Sequence, residues 1–191
     1  SPAELFLMRI VSGKFRGRKL TPPAGLPVRP TTDFAKEGLF NILNNLVDFE
    51  GLRVLDLFSG TGSITFEFLS RGAKEVTAID ASFRCVDYIR KTADSFGITN
   101  LRAVKADILS LLKRPSGRFD LIFADPPYDL EGLAGIPDLV MRSGLLADDG
   151  WFILEHGSRM DFSQHQNYDS HRHYGSVNFT FFRPGAKVTS A

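Results

Sequence analysis

Asp125, Pro126, Pro127 and Tyr128 stand in succession at the end of the apolar run Phe119 to Ala124. They set a carboxylate, carbonyls next to residues without an N–H, and a flat ring in one stiff turn, because proline lacks an amide proton and holds its predecessor extended. Those are the parts needed to grip a planar amino group. The same tetrapeptide is also ordinary turn chemistry, so its meaning depends on what else the chain carries. A second constellation, Leu55-Asp-Leu-Phe-Ser-Gly-Thr-Gly62, places Asp56, Phe58, Gly60 and Gly62 between an apolar stretch and a helix-forming one. Gly60 and Gly62 let a ligand approach the backbone without a Cβ in the way. Asp80 follows 18 residues after Gly62, where a carboxylate can accept from a ribose diol. The dinucleotide fingerprint requires a third Gly or Ala where Thr65 stands. Asp56 would repel a pyrophosphate and suit an ammonium group instead. S-adenosylmethionine has an ammonium, a ribose and no phosphate, and is favoured over a nicotinamide dinucleotide. Asp107, beside Ile108, is placed either to accept from an adenine amino group or to cap a helix.

These residues need a frame that brings them to one edge. From Arg53 onward the pattern alternates: strands at 53–57, 75–80, 101–106, 119–124 and 151–155, helices at 63–71, 83–96, 108–113 and 131–143. Such alternation predicts an α/β fold with a mostly parallel, seven-stranded Rossmann-like sheet. Ligands bind such sheets at the carboxyl ends of the strands, where Asp56, Asp80, Asp107 and Asp125 all fall. The tail, 168–174 and 177–183 around Gly175-Ser176, reads as an antiparallel hairpin. Before the sheet, 9–13 and 19–21 form a short N-terminal hairpin, a proline-rich linker follows, and Phe34 to Leu46 is a helix capped by Thr32 or Asp33.

At 191 residues, 43% of them hydrophobic, the chain can bury a full core in one domain, and most of its seventeen phenylalanines belong there. No apolar run is long enough to span a membrane. Cys85 is the only cysteine, which excludes an intramolecular disulfide and fits a reducing cytoplasm; its place is in packing, as is that of Trp151. His171 and His173 share a strand face without further ligands at metal spacing, so no metal is expected. His156 is expected at the surface. Net charge is only +1, yet residues 9–36 hold seven bases (Arg9, Lys14, Arg16, Arg18, Lys19, Arg29, Lys36) against one acid, Asp33. A basic arm on a mildly acidic body points to a polyanionic partner. The expected organisation is a tag or extension over 1–8, a basic hairpin and linker for contact with the polyanion over 9–31, and the main α/β domain over 32–185.

The glycine loop together with Asp-Pro-Pro-Tyr resembles the class I methyltransferases that modify exocyclic amines of nucleobases. Arg9-Ile-Val-Ser-Gly-Lys-Phe-Arg-Gly-Arg-Lys-Leu20, Val28-Arg-Pro-Thr-Thr-Asp33 and Glu37-Gly-Leu-Phe-Asn41 are similar to the RsmD family, bacterial enzymes acting on guanine N2 of 16S ribosomal RNA. The likeness runs from Met8 to Arg183. It implies S-adenosylmethionine as cofactor on Asp56, Phe58, Gly60, Gly62, Asp80, Asp107 and Ile108. It implies catalysis by Asp125, Pro126 and Tyr128. Substrate RNA would meet Arg9, Lys14, Arg16, Arg18, Lys19, Arg29, Thr31 and Thr32. The enzyme would be a cytoplasmic monomer working on a small-subunit particle. The family often has Phe at the place of Tyr128. An adenine-N6 methyltransferase of DNA or RNA, or a non-catalytic assembly factor binding RNA and S-adenosylmethionine, are the alternatives.

Overall fold

The computed structural model describes residues 8–26 and 31–186. The elements are β1 (Met8–Arg9), β2 (Lys19–Leu20), α1 (Asp33–Leu46), β3 (Arg53–Leu57), α2 (Ser63–Ser70), β4 (Glu75–Asp80), α3 (Phe83–Ser95), β5 (Leu101–Lys105), α4 (Ile108–Lys113), β6 (Phe119–Ala124), α5 (Ile136–Ser143), β7 (Leu146–His156), β8 (Tyr168–Tyr174) and β9 (Val177–Phe182). Seven strands form one sheet in the order β5-β4-β3-β6-β7-β9-β8. The first five in that order pair in parallel; β9 runs antiparallel to both β7 and β8. The chain builds outward from β3 through β4 to β5, then returns and builds the other way from β6. The reversal between β3 and β6 opens a crevice at their carboxyl ends.

Buried apolar residues cover both faces of the sheet. On one face Leu39, Phe40 and Leu43 of α1, Phe66 and Phe68 of α2 and Val86 and Ile89 of α3 pack over Val54, Phe123 and Ile153. On the other, Ile108 and Leu112 of α4 and Ile136 and Val140 of α5 cover Leu55, Ile122 and Phe152. Ten of the seventeen phenylalanines are buried, whereas Phe34 and Phe83 are 66% and 58% exposed. Trp151 and Cys85 are buried, as packing residues should be.

Three elements depart clearly from the sequence reading; the hairpin strands expected over 9–13 and 19–21 are only Met8–Arg9 and Lys19–Leu20. The helix expected from Glu131 begins only at Ile136, after a 3₁₀ turn at Leu133–Gly135. Gly132 there has φ of 87°, and Pro137 stands in the first turn, a position where a missing N–H costs nothing. The strand expected from Trp151 begins at Leu146: Leu146 pairs with Phe119 and Trp151 with Leu121, so a bulge separates two paired segments.

The N-terminal hairpin is sewn onto α2. Met8, expected as the end of an extension, is the first residue of β1 and pairs with Leu20. Met8, Ile10 and Leu20 enter the same core as α1 and α2. The Val11 and Ser12 amides donate to the two Glu67 carboxylate oxygens at 2.8 and 3.1 Å. Ser70 accepts from the Lys14 and Phe15 amides, through its carbonyl and hydroxyl oxygens respectively, and its hydroxyl donates to the Ser12 carbonyl.

Candidate active site

A cleft of about 680 Å³ lies at the carboxyl edge of the sheet, within the roughly 300–1,000 Å³ usual for small-molecule sites. Four of the parallel strands send residues into it. From β3 come Asp56 and the loop Phe58 to Thr61; from β4, Asp80 and Ala81; from the β5–α4 junction, Asp107 and Ile108; from β6, Phe123 and the segment Asp125 to Leu130. Thr31 closes one side ahead of α1. Thus Asp56, Phe58, Gly60, Asp80, Asp107, Ile108, Asp125, Pro126, Tyr128 and Thr31 share one cavity.

Gly62 does not face it. A Cβ on Gly62 would stand 2.9 Å from Phe66 Cε2, and its backbone has φ of 82°, so this glycine serves the turn into α2 rather than ligand approach. Phe58, with φ of 59°, is the only non-glycine residue of positive φ among the described residues. Such backbone is strained and persists only where its surroundings over-determine it. Asp80 supplies part of that constraint. One carboxylate oxygen accepts from the Gly60 amide at 2.8 Å and the other from the Ser82 amide at 2.9 Å. A carboxylate offers about four acceptor directions, so Asp80 holds the loop and keeps capacity for hydroxyl groups.

Asp56 is 1% exposed. Burial pushes its carboxyl up to about 7, against the pull of a 2.6 Å hydrogen bond from the Thr65 hydroxyl; the charge of Asp80 adds to the rise, and that of Glu155 adds further. Thr65, the residue that breaks the dinucleotide fingerprint, is therefore the partner of the acid in the loop. Asp107 caps α4 by accepting from the Ser110 hydroxyl at 2.7 Å and amide at 3.0 Å, which hold its carboxyl below the usual range. It is a cap that also lines the cleft.

On the β6 side of the cleft, Pro126 is buried, and the Asp125 amide donates to the Leu57 carbonyl at 3.3 Å, tying the turn to the neighbouring strand. The Tyr128 hydroxyl donates to Glu155 at 3.3 Å. His156 corrects the expectation of a surface role. It is 1% exposed, with Nε2 2.7 Å from the Thr180 hydroxyl and Nδ1 2.9 Å from the Gly157 carbonyl, and burial lowers its pKa. The antiparallel β9 and Phe162 cover it.

Thr32, not Asp33, caps α1, its hydroxyl accepting from the Ala35 amide. Among the basic residues, Lys14, Arg16, Arg18 and Lys19 are exposed, with Arg18 over the Phe96 ring at 4.9 Å. Arg9 is exposed and pairs with Asp33 at 3.5 Å. Arg29 lies outside the described residues. Lys36, counted with the surface charges, is 1% exposed: its Nζ donates to the Arg9 carbonyl and Ser63 hydroxyl and pairs with Glu67 at 3.2 Å. The sequence carried a signal for that, since Lys36 falls on the same helical stripe as Leu39, Phe40 and Leu43. Glu155 was also missed, though it ends an apolar strand as Asp80 does. Among the described residues no group of three or more His, Cys, Asp or Glu is arranged to hold a metal ion, and no helix is long and apolar enough to cross a membrane.

A sheet of this order, with a glycine loop after the first central strand and acids ending the next strands, defines a Rossmann-like class I methyltransferase. Residues 8–183 match the family model described as Conserved hypothetical protein 95. The chain belongs to that family, the RsmD family of the sequence resemblance, and is a methyltransferase. Ribosomal RNA small subunit methyltransferase D of Escherichia coli K12 is 32% identical over 78% of this chain and 74% of its own length. The protein of the same name from Buchnera aphidicola (Baizongia pistaciae) is 29% identical over 78% of this chain and 75% of its own. A hypothetical protein of Thermus thermophilus superposes with a TM-score of 0.80 at 27% identity, over 92% of this chain and 98% of its own. SMU.776, solved in complex with SAH, shares the fold at a TM-score of 0.62 and 17% identity, over 78% of this chain and 49% of its own.

Proposed function

We propose that this enzyme transfers a methyl group from S-adenosylmethionine to the exocyclic N2 of a guanine in 16S ribosomal RNA. One observation carries the reading: Asp125-Pro-Pro-Tyr128 forms one wall of the cleft whose other wall holds Asp56, the loop to Thr61, and Asp80. The residues fit that cofactor. Asp56 offers an acid to the ammonium, Asp80 has acceptor capacity for the ribose, Asp107 can accept from adenine, and Ile108 and Phe58 offer apolar surface. When bound, S-adenosylmethionine supplies an electrophilic methyl group.

The chain's own residues make the acceptor nitrogen reactive. An exocyclic amine is a poor nucleophile because its lone pair is delocalised into the ring. Asp125 accepts one N–H and the Pro126 carbonyl the other, which lets the nitrogen rehybridise and localises the lone pair. The same acceptors face the positive charge that grows on nitrogen, without reorganising at the moment of transfer. Tyr128 stacks on a base swung out of its helix or loop. Exposed Arg9, Lys14, Arg16, Arg18 and Lys19 hold phosphates, and Thr31 adjoins the base. The name borne by the relatives supports small-subunit RNA, and the guanine rests on the RsmD resemblance, since adenine also presents an amine. A monomer acting on an assembling small subunit in the cytoplasm fits this reading.

The test is transfer of labelled methyl groups to naked 16S RNA and to small subunits, followed by nucleoside analysis. N2-methylguanosine is the expected product. N6-methyladenosine would keep the acceptor chemistry and remove the guanine assignment. Absence of product on either substrate would leave a binder of RNA or cofactor.

A further inference from the structure

Glu155 has no part in the chemistry above, yet it is 1% exposed and accepts a hydrogen bond from Tyr128, a residue of the cleft wall. A buried acid costs several kcal/mol unless its surroundings use it. The register shows what surrounds it. Leu154 pairs with Ala124, and Leu57 with the same Ala124 on the other side. Glu155 is therefore the neighbour of Asp125 one residue beyond the last pair. Side chains alternate along a strand, so Glu155, Asp125 and Asp56 fall on one face of the sheet. The electrostatic influence of Glu155 on Asp56 agrees with that placement.

Tyr128 is held on two sides. Its hydroxyl donates to Glu155 Oε2, and its ring edge meets Gly157, where a Cβ would stand 3.0 Å from Cδ2. A Cβ there would crowd the ring, which would have to give by a few tenths of an ångström, so glycine suits the close approach of this backbone. We propose that Glu155 is a positioning residue for the target base: by anchoring the Tyr128 hydroxyl it fixes the plane on which the base stacks. This rests on the reading of Tyr128 as the base platform. At 3.3 Å the bond is long for a hydroxyl donor. A phenylalanine at this position would stack without such an anchor, so the device belongs to chains with tyrosine here.

Two measurements on the full chain test it. The first is methyl-transfer kinetics for Tyr128→Phe, Glu155→Gln and the double variant. Each single change should lower kcat roughly tenfold, with KM for S-adenosylmethionine within about twofold, and the double should be no worse than the poorer single. Losses that multiply, or a change confined to the cofactor KM, would overturn the proposal. The second needs no substrate: fluorine NMR of protein carrying 3-fluorotyrosine at its four tyrosines. The Tyr128 signal, assigned by its loss in Tyr128→Phe, should shift in Glu155→Gln while those of Tyr88, Tyr168 and Tyr174 stay put. An unmoved signal rejects the anchor whether or not RNA is methylated. A moved signal in a protein that methylates no ribosomal substrate supports the anchor and counts against the substrate reading.

Discussion

Helix α2 has two ends with opposite duties. Its amino end carries the loop of the cofactor cleft: Ser63 lines the cavity, and Asp56, buried beneath it, takes a bond from Thr65 one turn on. Its carboxyl half carries the N-terminal hairpin through Glu67 and Ser70. All eight residues of α2 are buried. At the first end, an acid is buried beside a cavity and keeps chemistry in reserve. At the second, an acid is buried against Lys36, Arg71 and two amides and is spent on architecture. The difference lies in whether the neighbours satisfy the charge, and that is decided by packing rather than by residue type.

Removing the architectural acid should have the largest effect on stability. Glu67→Ala would leave Lys36 and Arg71 without their buried counter-charge and two hairpin amides without acceptors. Breaking such a pair costs about 3–5 kcal/mol, which for a chain of this size lowers Tm by roughly 6–20 °C. Calorimetry that found Tm unchanged would mean the hairpin is held by its apolar residues alone. Asp125→Ala should do the reverse. By analogy with loss of one preorganised acceptor or donor at a reacting centre, turnover should fall on the order of 10²–10³, with Tm and cofactor binding close to those of the parent. A turnover loss below tenfold would remove Asp125 from the reaction centre.

The contrast also explains what was legible in the sequence. Alternating apolar strands and helices predicted the sheet to within a residue or two for β3, β4, β5, β6, β8 and β9, because periodicity reports burial directly. The acids at the strand ends were legible for the same reason: Asp56, Asp80, Asp107 and Asp125 each follow or interrupt an apolar run, and the fold brings such ends together. The misreadings concern charges whose surroundings are set by distant segments. Lys36 counted as surface until Arg9 and Glu67, from two other elements, closed around it. His156 counted as surface until β9 and Phe162 covered it. The bulge that lengthens β7 spans Gly150, where a Cβ would stand 2.9 Å from the Ala147 and Asp120 carbonyl oxygens, so its one local signal is a glycine whose need is set by the partner strand β6.

The reserved acid predicts a pH effect. Asp56 has a folded-state value near 7 against 3.8 for the free group. The fold therefore favours the protonated form; the stability this gives is complete below about pH 4, declines as pH rises toward about 7, and is absent above that. Cofactor binding should follow the opposite course, because the ammonium needs the ionised acid. Between about pH 5.5 and 7, affinity for S-adenosylmethionine should rise by up to about tenfold per unit, with release of about one proton. Asp56→Asn should bind more weakly and show a flat profile. A flat profile in the parent protein would mean that Asp56 is ionised throughout, or does not meet the ammonium.

The smallest expected effects separate charges that are alike in sequence. Arg16 and Lys19 are exposed, while Lys36 is buried under the same hairpin. An exposed base that contacts a phosphate releases counterions, and its removal should lower the log–log salt slope of RNA binding by roughly 0.7–0.9. Arg16→Ala and Lys19→Ala should each show that decrement, with no change in cofactor affinity and little change in Tm. Lys36→Met removes the same formal charge but none that faces solvent, so it should alter Tm and leave the slope as it was. Slopes equal to the parent's in Arg16→Ala and Lys19→Ala would reject phosphate contact by the hairpin. A lowered slope in Lys36→Met would instead show that Lys36 acts by holding the hairpin in register for RNA, because a side chain 1% exposed has no counterion of its own to release.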